Sequence, residues 1–372
     1  MPAQVVLAKN LARSIREGHP WIFRQALRPG PPLADGTVVE VRGKDGPPLA
    51  TGFWDATSAI AVRVLDSRRV PDPAALVRQR FAAALKKRRD RLDPARTNAF
   101  RWVHGEADLL PGIHLDLYGD EAVARFDGEG ARAFYGDLAP VLKAAGVKEA
   151  VDRQSGRTLA EREVLENGIR FGVTPGEGGK GGLFLDQREN REVVESLAKG
   201  RSVLNLFGYS GGFSLYAARG GATSTDTVDI ARPAIEAARA NFARNGLPAG
   251  GLHVADAFDF LAEARRKWGL VISDPPSFAP RKDAVETARR AYTKLHKLAA
   301  AVVEPGGLLC AASCSSHVDR ALFLQTIDAG ARAAGRKFAL QEMRGAGFDH
   351  PTLRAFPEGA YLKFAVGRIT SP

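Results

Sequence analysis

The chain has few cysteines and no long apolar segment. Only Cys310 and Cys314 occur among 372 residues, which argues against a disulfide framework and leaves too few thiols for a zinc ribbon. No apolar run approaches the ~18–20 residues needed to span a bilayer. Residues 1–6 lack the basic and then apolar layout of a signal peptide. We therefore expect a cytoplasmic protein with no membrane partner.

Two nucleotide-binding patterns are also missing. The glycine-rich stretch 175–182 is not followed by GK[ST] at P-loop spacing, so it is interpreted as a flexible hairpin or loop. The glycines near residue 210 do not have the G-x-G-x-x-G spacing of a dinucleotide site, which disfavours a nicotinamide dehydrogenase.

Positive charge is concentrated at the N-terminal end. The composition is otherwise ordinary for a globular protein, with 45% hydrophobic and 26% charged residues and a net charge of +11. Residues 1–100 contain 18 Lys and Arg against 9 Asp and Glu. A localised basic region is typical of proteins that bind a polyanion. A merely solubilising surface is the alternative.

Residues 1–70 have the pattern of a small β-rich unit. Short apolar or alternating runs are separated by Gly, Pro and Asp turns and predict strands at 38–41, 49–54 and 60–65. Basic and aromatic residues alternate within 9–23, a composition that suits contact with RNA. We nevertheless expect Trp21 and Phe23 to be core residues.

A helix and a mixed α+β segment follow. Asp72 is the predicted N-cap of a helix that runs from Pro73 to Leu92. The basic side chains on its other face predict either a solvated surface or phosphate contacts, and they are Arg78, Arg80, Lys86, Lys87, Arg88, Arg89 and Arg91. We predict three domains, at 1–72, 73–180 and 181–372.

From residue 183 the pattern alternates between helix and strand. Predicted strands lie at 202–206, 224–229, 252–255, 269–273 and 307–313. Predicted helices lie at 188–199, 212–219, 232–245, 257–266 and 283–303. This α/β alternation predicts a doubly wound, mostly parallel sheet with its ligand at the carboxyl ends of the strands.

Three successive strand ends predict an S-adenosylmethionine site. The first strand leads into a glycine-rich turn made of Phe207, Gly208, Tyr209, Ser210, Gly211 and Gly212. The second leads to Asp229 and Ile230, where a carboxylate can accept from both ribose hydroxyls. The third leads to Asp256 and Ala257, and Asp256 can accept from an adenine amino group. Each aspartate taken alone could be a loop residue or a helix cap. The polar strand 223–228 has no explanation in the sequence.

The next two strand ends predict the reactive group. Asp274 is followed by Pro275 and Pro276, which fix the backbone and hold the carboxylate at the cleft. This pattern favours methyl transfer to a flat nitrogenous base over a simple loop. Cys310 lies inside an apolar strand and is predicted to be a core residue. Cys314 lies at the end of that strand, and we predict that it is a nucleophile rather than a structural thiol.

These motifs together resemble one enzyme family. The segments that carry the resemblance cover nearly the whole chain, at 9–23, 106–112, 184–191, 207–213, 274–278, 313–315, 349–351 and 357–363. They are similar to the bacterial large-subunit ribosomal RNA cytosine-C5 methyltransferases that carry an N-terminal PUA domain. The resemblance implies a Rossmann-like class I methyltransferase domain, preceded by a PUA-like RNA-binding domain and a central α+β domain.

The resemblance also implies roles for individual residues. The residues 207–212, Asp229, Asp256 and Asp274 would line the S-adenosylmethionine site, and Gln187 and Arg188 would reach it. Cys314 takes the position of the nucleophile that attacks cytosine C6, while Asp274 orients the base. The proton acceptor stays open between water, Asp274 and His350. No metal is implied.

Alternatives to cytosine-C5 chemistry remain at this point. Many RNA cytosine-C5 enzymes have a second cysteine after the Pro-Pro pair, where this chain has Ser277. Relatives of similar fold methylate guanine at N7, which needs no covalent step. A non-catalytic RNA-binding assembly factor is a further alternative. A homodimer is also left open.

Overall fold

A computed structural model describes residues 2–43, 46–177, 183–279 and 281–371. The chain forms two compact units. The N-terminal unit comprises Met1–Val164, Val173–Leu185 and Phe348–Gly359, and the C-terminal unit comprises Leu165–Gly172, Asp186–Gly347 and Ala360–Pro372. In the described ranges, no helix is long and apolar enough to cross a membrane. The three-domain division stays a prediction.

The N-terminal unit begins with a five-stranded sheet, in which the three predicted strands are confirmed. Its strands are β1 (Ala3–Val6), β2 (Trp21–Phe23), β3 (Val38–Arg42), β4 (Pro48–Trp54) and β5 (Ile60–Asp66), and helix α1 is Ala12–Arg16. The strand order is β1-β3-β4-β5-β2. Alternating side chains such as Val39, Val41 and Val62 form its core.

The expectation of two core aromatics in β2 is wrong for Phe23. Strand residues alternate between faces, and here Ile22 is fully buried while Phe23 is 42% exposed. Trp21 is half-buried on the same face as Phe23. Its indole Nε1 donates to Glu106 Oε1 at 2.8 Å, and its ring contacts that of Phe356 at 4.5 Å between centroids. Trp21 is therefore a structural anchor of this unit.

The N-terminal unit also contains a second sheet and three further helices. Its strands, in their order within the sheet, are β6 (Ala99–His104), β7 (Ile113–Tyr118), β8 (Glu121–Phe126) and β9 (Glu149–Asp152). The helices are α2 (Pro73–Arg89), α3 (Glu129–Tyr135) and α4 (Ala139–Ala144). The predicted N-cap is confirmed, because Asp72 accepts from Ala75 N at 2.9 Å.

One residue of the predicted basic face of α2 lies in the interior. Arg88 is 1% exposed, and both its terminal nitrogens donate to the Asp108 carboxylate at 2.6 Å. A bidentate pair of this kind satisfies a buried guanidinium. The sequence showed a row of basic residues, but Asp108 lies too far along the chain for the pairing to be read from it. Arg88 is therefore unavailable for phosphate contact.

The C-terminal unit confirms the predicted α/β fold. Its seven-stranded sheet has the order β14-β13-β12-β15-β16-β18-β17. The strands are β12 (Ser202–Leu206), β13 (Ser224–Asp229), β14 (Gly251–Val254), β15 (Trp268–Ser273), β16 (Val303–Ser313), β17 (Lys337–Arg344) and β18 (Lys363–Thr370). Neighbouring strands from β12 to β16 pair in parallel, and β18 pairs antiparallel with β16 and β17. The last two strands were not predicted.

Six helices accompany this sheet. They are α5 (Arg188–Ala198), α6 (Gly212–Arg219), α7 (Arg232–Arg244), α8 (Ala257–Glu263), α9 (Val285–Ala301) and α10 (Arg320–Ala333). A separate two-stranded sheet consists of β10 (Arg162–Glu166) and β11 (Ile169–Val173). The predicted glycine-rich loop at 175–182 lies for the most part, at 178–182, outside the described residues.

The polar strand β13 now has a physical explanation. Asp226 accepts from the indole Nε1 of Trp268 at 2.8 Å and contacts His253 Nε2 at 3.0 Å. Thr227 is fully buried, and its hydroxyl hydrogen-bonds that of Ser214 at 2.7 Å. Buried polar groups are stable where they have such partners. Because each partner comes from another element, the single strand gives no sign of it.

Candidate active site

The turn after β12, Phe207–Gly212, is named the glycine turn. Phe207 and Tyr209 have φ values of 58° and 45°, and Gly211 has a φ of 81°. Left-handed backbone is rare for non-glycine residues and tends to occur at functional sites. The turn is closed by a hydrogen bond from Gly211 N to Gly208 O at 2.9 Å. The sequence analysis named Phe207 and Tyr209 as members of this turn but did not predict their left-handed backbone.

Close packing explains why residue 208 is glycine. A Cβ added at Gly208 would lie 2.4 Å from Thr227 Cγ2, in the adjacent strand. Gly212 begins α6, where a Cβ would lie 3.1 Å from Arg191 Cδ. The backbone at this helix N-terminus is therefore bare, and its N–H groups favour polar or anionic ligand atoms.

Asp229, at the end of β13, connects two turns. Its Oδ2 accepts from Tyr209 N at 2.9 Å and its Oδ1 accepts from Ala231 N at 2.9 Å. A carboxylate has about four lone-pair positions, so two N–H donors leave capacity for a ligand hydroxyl. The adjacent Ile230 is 70% exposed, which is unusual for a large apolar side chain.

Asp256 caps α8. Its Oδ1 accepts from Phe258 N at 2.8 Å and from Asp259 N at 3.2 Å, while Ala257 is buried as the first residue of the helix. The helix-cap interpretation is thus observed. The adenine-binding role of Asp256 stays a prediction, and a capping carboxylate retains a second oxygen for it.

Gln187 is brought together with Asp274. Gln187 is 3% exposed, and its Nε2 donates to Asp274 Oδ2 at 3.0 Å. Its Oε1 accepts from Asn190 Nδ2 at 2.6 Å, and Asn190 also donates to Gly345 O at 3.1 Å. This chain of bonds fixes the amide so that its NH2 group faces the carboxylate. Sequence reasoning missed Asn190, although it lies three residues after Gln187 on α5. Arg188 is also buried.

Cys314 directly follows β16 and is half-buried. Burial, and then the negative charges of Asp274 and Asp186, raise the pKa of its thiol to about 11. The thiol is therefore protonated at neutral pH in this state, whereas nucleophilic attack needs the thiolate. Cys310 lies within β16, is fully buried and has a thiol pKa raised to about 12, so the core prediction for it is confirmed.

A cluster of hydroxyl groups joins the two reactive loops. We call residues 274–278 the Pro-Pro loop and residues 313–315 the cysteine turn. Ser277 and Ser315 share a hydrogen bond of 3.0 Å between their hydroxyls. The phenol of Tyr292, on α9, donates to Ser313 Oγ at 2.9 Å and lies 3.0 Å from Ser315 Oγ. Ser277 thus has a structural use at the position where other enzymes carry a second cysteine.

Lys363 is a further residue of this region that sequence reasoning left without a role. It begins β18, is 2% exposed, and its Nζ donates to Ser315 O at 2.6 Å and to Tyr361 O at 2.7 Å. Burial lowers the pKa of its ammonium to about 8. A lysine in the otherwise apolar run Lys363–Val366 was the available signal.

His350, one candidate proton acceptor, belongs to the N-terminal unit. It is 4% exposed, and its Nδ1 lies 3.0 Å from Asp349 Oδ1. Its ring centroid lies 5.0 Å from that of His104. Burial lowers the pKa of His104 well below its ordinary value. The identity of the base therefore stays open.

Comparison with known proteins connects this geometry to a family. A family model for S-adenosylmethionine-dependent methyltransferases matches residues 141–342, and one for PUA-like domains matches residues 5–67. The ribosomal RNA large subunit methyltransferase I of Shewanella denitrificans is 34% identical over 398 residues, which cover 99% of this chain and 100% of the relative. That of Aeromonas hydrophila is 34% identical over 397 residues, with the same two coverages.

Solved structures share the fold over the full length. A candidate SAM-dependent methyltransferase from Streptococcus mutans has a TM-score of 0.83 at 23% identity, covering 98% of this chain and 100% of that one. A candidate methyltransferase complexed with SAH has a TM-score of 0.84 at 24% identity, with coverages of 99% and 100%. The chain therefore belongs to the S-adenosylmethionine-dependent methyltransferases with an N-terminal PUA-like domain, the family of its ribosomal RNA large subunit methyltransferase I relatives, and S-adenosylmethionine is its cofactor.

Proposed function

We propose that the protein forms 5-methylcytosine in large-subunit ribosomal RNA through a covalent adduct with Cys314. The observation that carries this proposal is the position of Cys314. Its half-buried thiol directly follows strand β16, and hydroxyl groups connect its turn to the loop that holds Asp274. A thiol placed beside a base-binding carboxylate is the arrangement that nucleophilic catalysis needs.

RNA as the substrate is supported by the N-terminal sequence and by the relatives. The first 100 residues have twice as many basic as acidic side chains, 18 against 9. Such a surface provides sequence-independent affinity for phosphates. The matched PUA-like domain lies within the same region, and the relatives are named as ribosomal RNA methyltransferases. We therefore propose that this domain binds RNA while the C-terminal unit acts on one base.

The residues of the glycine turn fit S-adenosylmethionine. The close approach that requires glycine at position 208 leaves bare backbone, and Asp229 has acceptor capacity suited to ribose hydroxyls. We assign Gln187, Arg188, residues 207–212, Asp229, Ile230, Asp256, Ala257 and Asp274 to the cofactor site. When bound, the cofactor supplies an activated methyl group on a positively charged sulfur.

The proposed reaction begins after the target cytosine has been flipped out of its stack. The Cys314 thiolate forms a bond from Sγ to C6, which makes C5 nucleophilic. C5 would then take the methyl group, while the electron pair of the broken S–C bond stays on the sulfonium sulfur of the cofactor, which leaves as the thioether of S-adenosylhomocysteine. A base removes the C5 proton, the electron pair re-forms the C5–C6 double bond, and the Sγ–C6 bond breaks to release the thiolate. Atoms and charge balance, because the methyl group replaces one proton.

Asp274 has a positioning task in this sequence. Gln187 Nε2 donates to its Oδ2 and thereby orients the carboxylate. The carboxylate can accept from the exocyclic N4 amino group of cytosine. Because Asp274 is one cause of the raised pKa of Cys314, sharing its charge with the base would also make the thiolate easier to form.

Methylation of a ring nitrogen is the second candidate. The observation that favours it is the thiol pKa of about 11, since a bystander cysteine needs no activation. Asp274 would then hold a base such as guanine, and transfer to N7 would need no covalent step. The two candidates differ in whether Cys314 is required.

Single-turnover transfer of labelled methyl to large-subunit ribosomal RNA tests the proposal. We expect the product to be 5-methylcytidine on nucleoside analysis. Cys314→Ala should lower the rate by on the order of 1,000-fold or more, as for other nucleophiles. Cys310→Ala, in the same strand, is the matched control and should retain activity. Full turnover by Cys314→Ala, or a methylated nitrogen in the product, would overturn it.

A further inference from the structure

Lys363 lies next to the residues before and after Cys314, the proposed nucleophile. In the pairing of β16 with β18, Lys363 lies opposite Ser313, the residue before Cys314. Its ammonium donates to the carbonyl of Ser315, the residue after Cys314, at 2.6 Å. One lysine therefore fixes the backbone on each side of the thiol. Such precision is what a reactive side chain requires from its surroundings.

The burial of this ammonium needs a reason. Lysine is almost never fully buried unless it is paired, yet Lys363 is 2% exposed. Its described acceptors, Ser315 O and Tyr361 O, are both backbone carbonyls, which a neutral amide donor could also satisfy. These two hydrogen bonds alone do not explain why the positively charged Lys363 is buried here.

The charges around Cys314 supply that reason. Asp274 and Asp186 both oppose ionisation of the thiol, whereas Lys363 favours it. The ionisable and charged groups that influence Cys314 or Lys363 from the elements around them are Asp186, Asp274, Tyr292, Asp319 and Arg320. Of the causes that move the Cys314 pKa, Lys363 is the positively charged side chain, and it lowers that pKa by less than either carboxylate raises it.

We propose that Lys363 is a positioning residue whose ammonium both clamps the cysteine turn and stabilises the Cys314 thiolate. This inference rests on the proposed function, in which Cys314 is the nucleophile. Strand β18, which lies between β16 and β17 in the sheet, would then contribute to the reaction as well as to the sheet.

The proposed effect of Lys363 on Cys314 depends on pH. The folded-state pKa of Lys363, about 8, lies below the ordinary lysine value of 10.5. The ammonium is therefore present below pH ~8 and is lost as the pH rises through that value. Its stabilisation of the Cys314 thiolate is therefore also present below pH ~8 and lost above it. Its removal should matter at pH 7 and should matter little at pH ~9.5.

The test measures how fast Cys314 is alkylated by iodoacetamide between pH 6 and pH 10, with peptide mapping to separate it from Cys310. Lys363→Gln keeps a donor for a carbonyl but removes the charge. Lys363→Arg keeps the charge. Lys337→Gln, on the exposed residue that begins β17, is the control. Thermal unfolding and S-adenosylmethionine binding report on the fold of each variant.

We expect Lys363→Gln to slow alkylation about tenfold at pH 7, which corresponds to one pKa unit, and to match the wild type above pH ~9. Lys363→Arg should stay close to the wild type. A purely structural clamp would instead be rescued by Gln as well as by Arg. Equal alkylation of the Gln variant and the wild type at every pH would overturn the proposal.

Two features keep the proposal testable. If the variants fail to fold, the wild-type protein alone decides. Its plot of Cys314 alkylation rate against pH should become less steep near pH ~8, where the ammonium is lost. A plot with the same slope throughout would contradict the proposal. Alkylation also needs neither RNA nor cofactor. A lysine-dependent thiol in an enzyme that methylates nitrogen would refute the proposed function only. Cytosine adduct formation with a lysine-independent thiol would refute only this inference.

Discussion

The two halves of the proposed active site differ in composition, because one is formed mainly by backbone turns and the other mainly by side chains. The half that we propose for the cofactor, residues 207–212 with Asp229 and Asp256, consists of strand ends where backbone conformation and small residues shape the surface. The proposed reactive half combines side chains from separate segments, namely Gln187, Asp274, Ser277, Tyr292, Cys314, Ser315 and Lys363. Gln187 and Asp274 are also assigned to the cofactor site, so they belong to both halves. The first half tolerates little change in shape, and the second depends on hydrogen bonds and charge.

This difference has a chemical reason. A cofactor that is the same in every turnover is well served by a rigid backbone turn, which costs little reorganisation on binding. A thiol that must ionise and then leave needs its surroundings to change charge, which side chains such as Asp274 and Lys363 can do. Substitutions in the two halves should therefore affect different measurements.

Among the substitutions that compare the two halves, the largest effect is expected from Gly208→Ala. The added Cβ would meet Thr227 Cγ2 at 2.4 Å, so the turn must move. Overpacking of this kind costs ~1–3 kcal/mol, which should weaken S-adenosylmethionine binding by ~10- to 100-fold. Calorimetric titration measures it. Gly30→Ala is the control, because no atom lies within 4 Å of a Cβ added there. Unchanged affinity would show that the turn does not shape the cofactor half.

Asp229→Asn should have the next largest effect. Asn has one acceptor oxygen where Asp229 uses two, so the bond to Tyr209 N or to Ala231 N is lost. We expect cofactor binding to weaken about tenfold, with cysteine alkylation unchanged. If alkylation of Cys314 changed as much as cofactor affinity, the two halves would not be independent.

Tyr292→Phe tests the reactive half from the other side. The substitution removes the hydroxyl that bonds Ser313 and lies within bonding distance of Ser315, in a fully buried position. Single-turnover methyl transfer should fall ~3- to 10-fold, while S-adenosylmethionine affinity stays the same. Thr293→Ala is the control, since that hydroxyl donates to Arg289 O in its own helix. A loss of cofactor affinity with unchanged transfer would contradict the division.

The smallest effect is expected from Ser277→Cys. It adds the second cysteine that many RNA cytosine-C5 enzymes have and weakens the bond to Ser315. Because thiols are weak donors, we expect methyl transfer to change by less than about threefold. A large gain in rate would mean that the chain lacks a catalytic group there, and that the hydroxyl cluster is not a sufficient substitute.

The same contrast explains what could be predicted from the sequence. Strands β12 to β16 and helices α5 to α9 were predicted because apolar runs are local patterns. Helix α2 of the N-terminal unit was predicted from its local cap, Asp72. The glycine turn was found for the same reason. The partners of Asp226 and the pairing of Arg88 with Asp108 were not found, since residues distant in sequence supply them.

The reactive half shows this limit most clearly. Cys314 and Asp274 were predicted as site residues from their place at strand ends. Lys363, which lies next to both chain neighbours of Cys314, is 49 positions further along the chain. Strand β18, which carries it, pairs antiparallel with β16 and was not predicted. Without that pairing, Lys363 is one more lysine near the end of the chain. Its pairing with β16, and not a local pattern, is the basis of the role that we propose for it.

Covalent capture of RNA by Cys314 would separate cytosine-C5 methylation from methylation of a ring nitrogen. The protein is incubated with S-adenosylmethionine and large-subunit ribosomal RNA that contains 5-fluorocytosine, and the products are separated by denaturing electrophoresis. Fluorine at C5 blocks the last elimination, so the Sγ–C6 bond persists. The account predicts a protein–RNA band that resists denaturation, is absent in Cys314→Ala and is present in Cys310→Ala. Methyl transfer to unmodified RNA without such a band would contradict it and would indicate a nitrogen target.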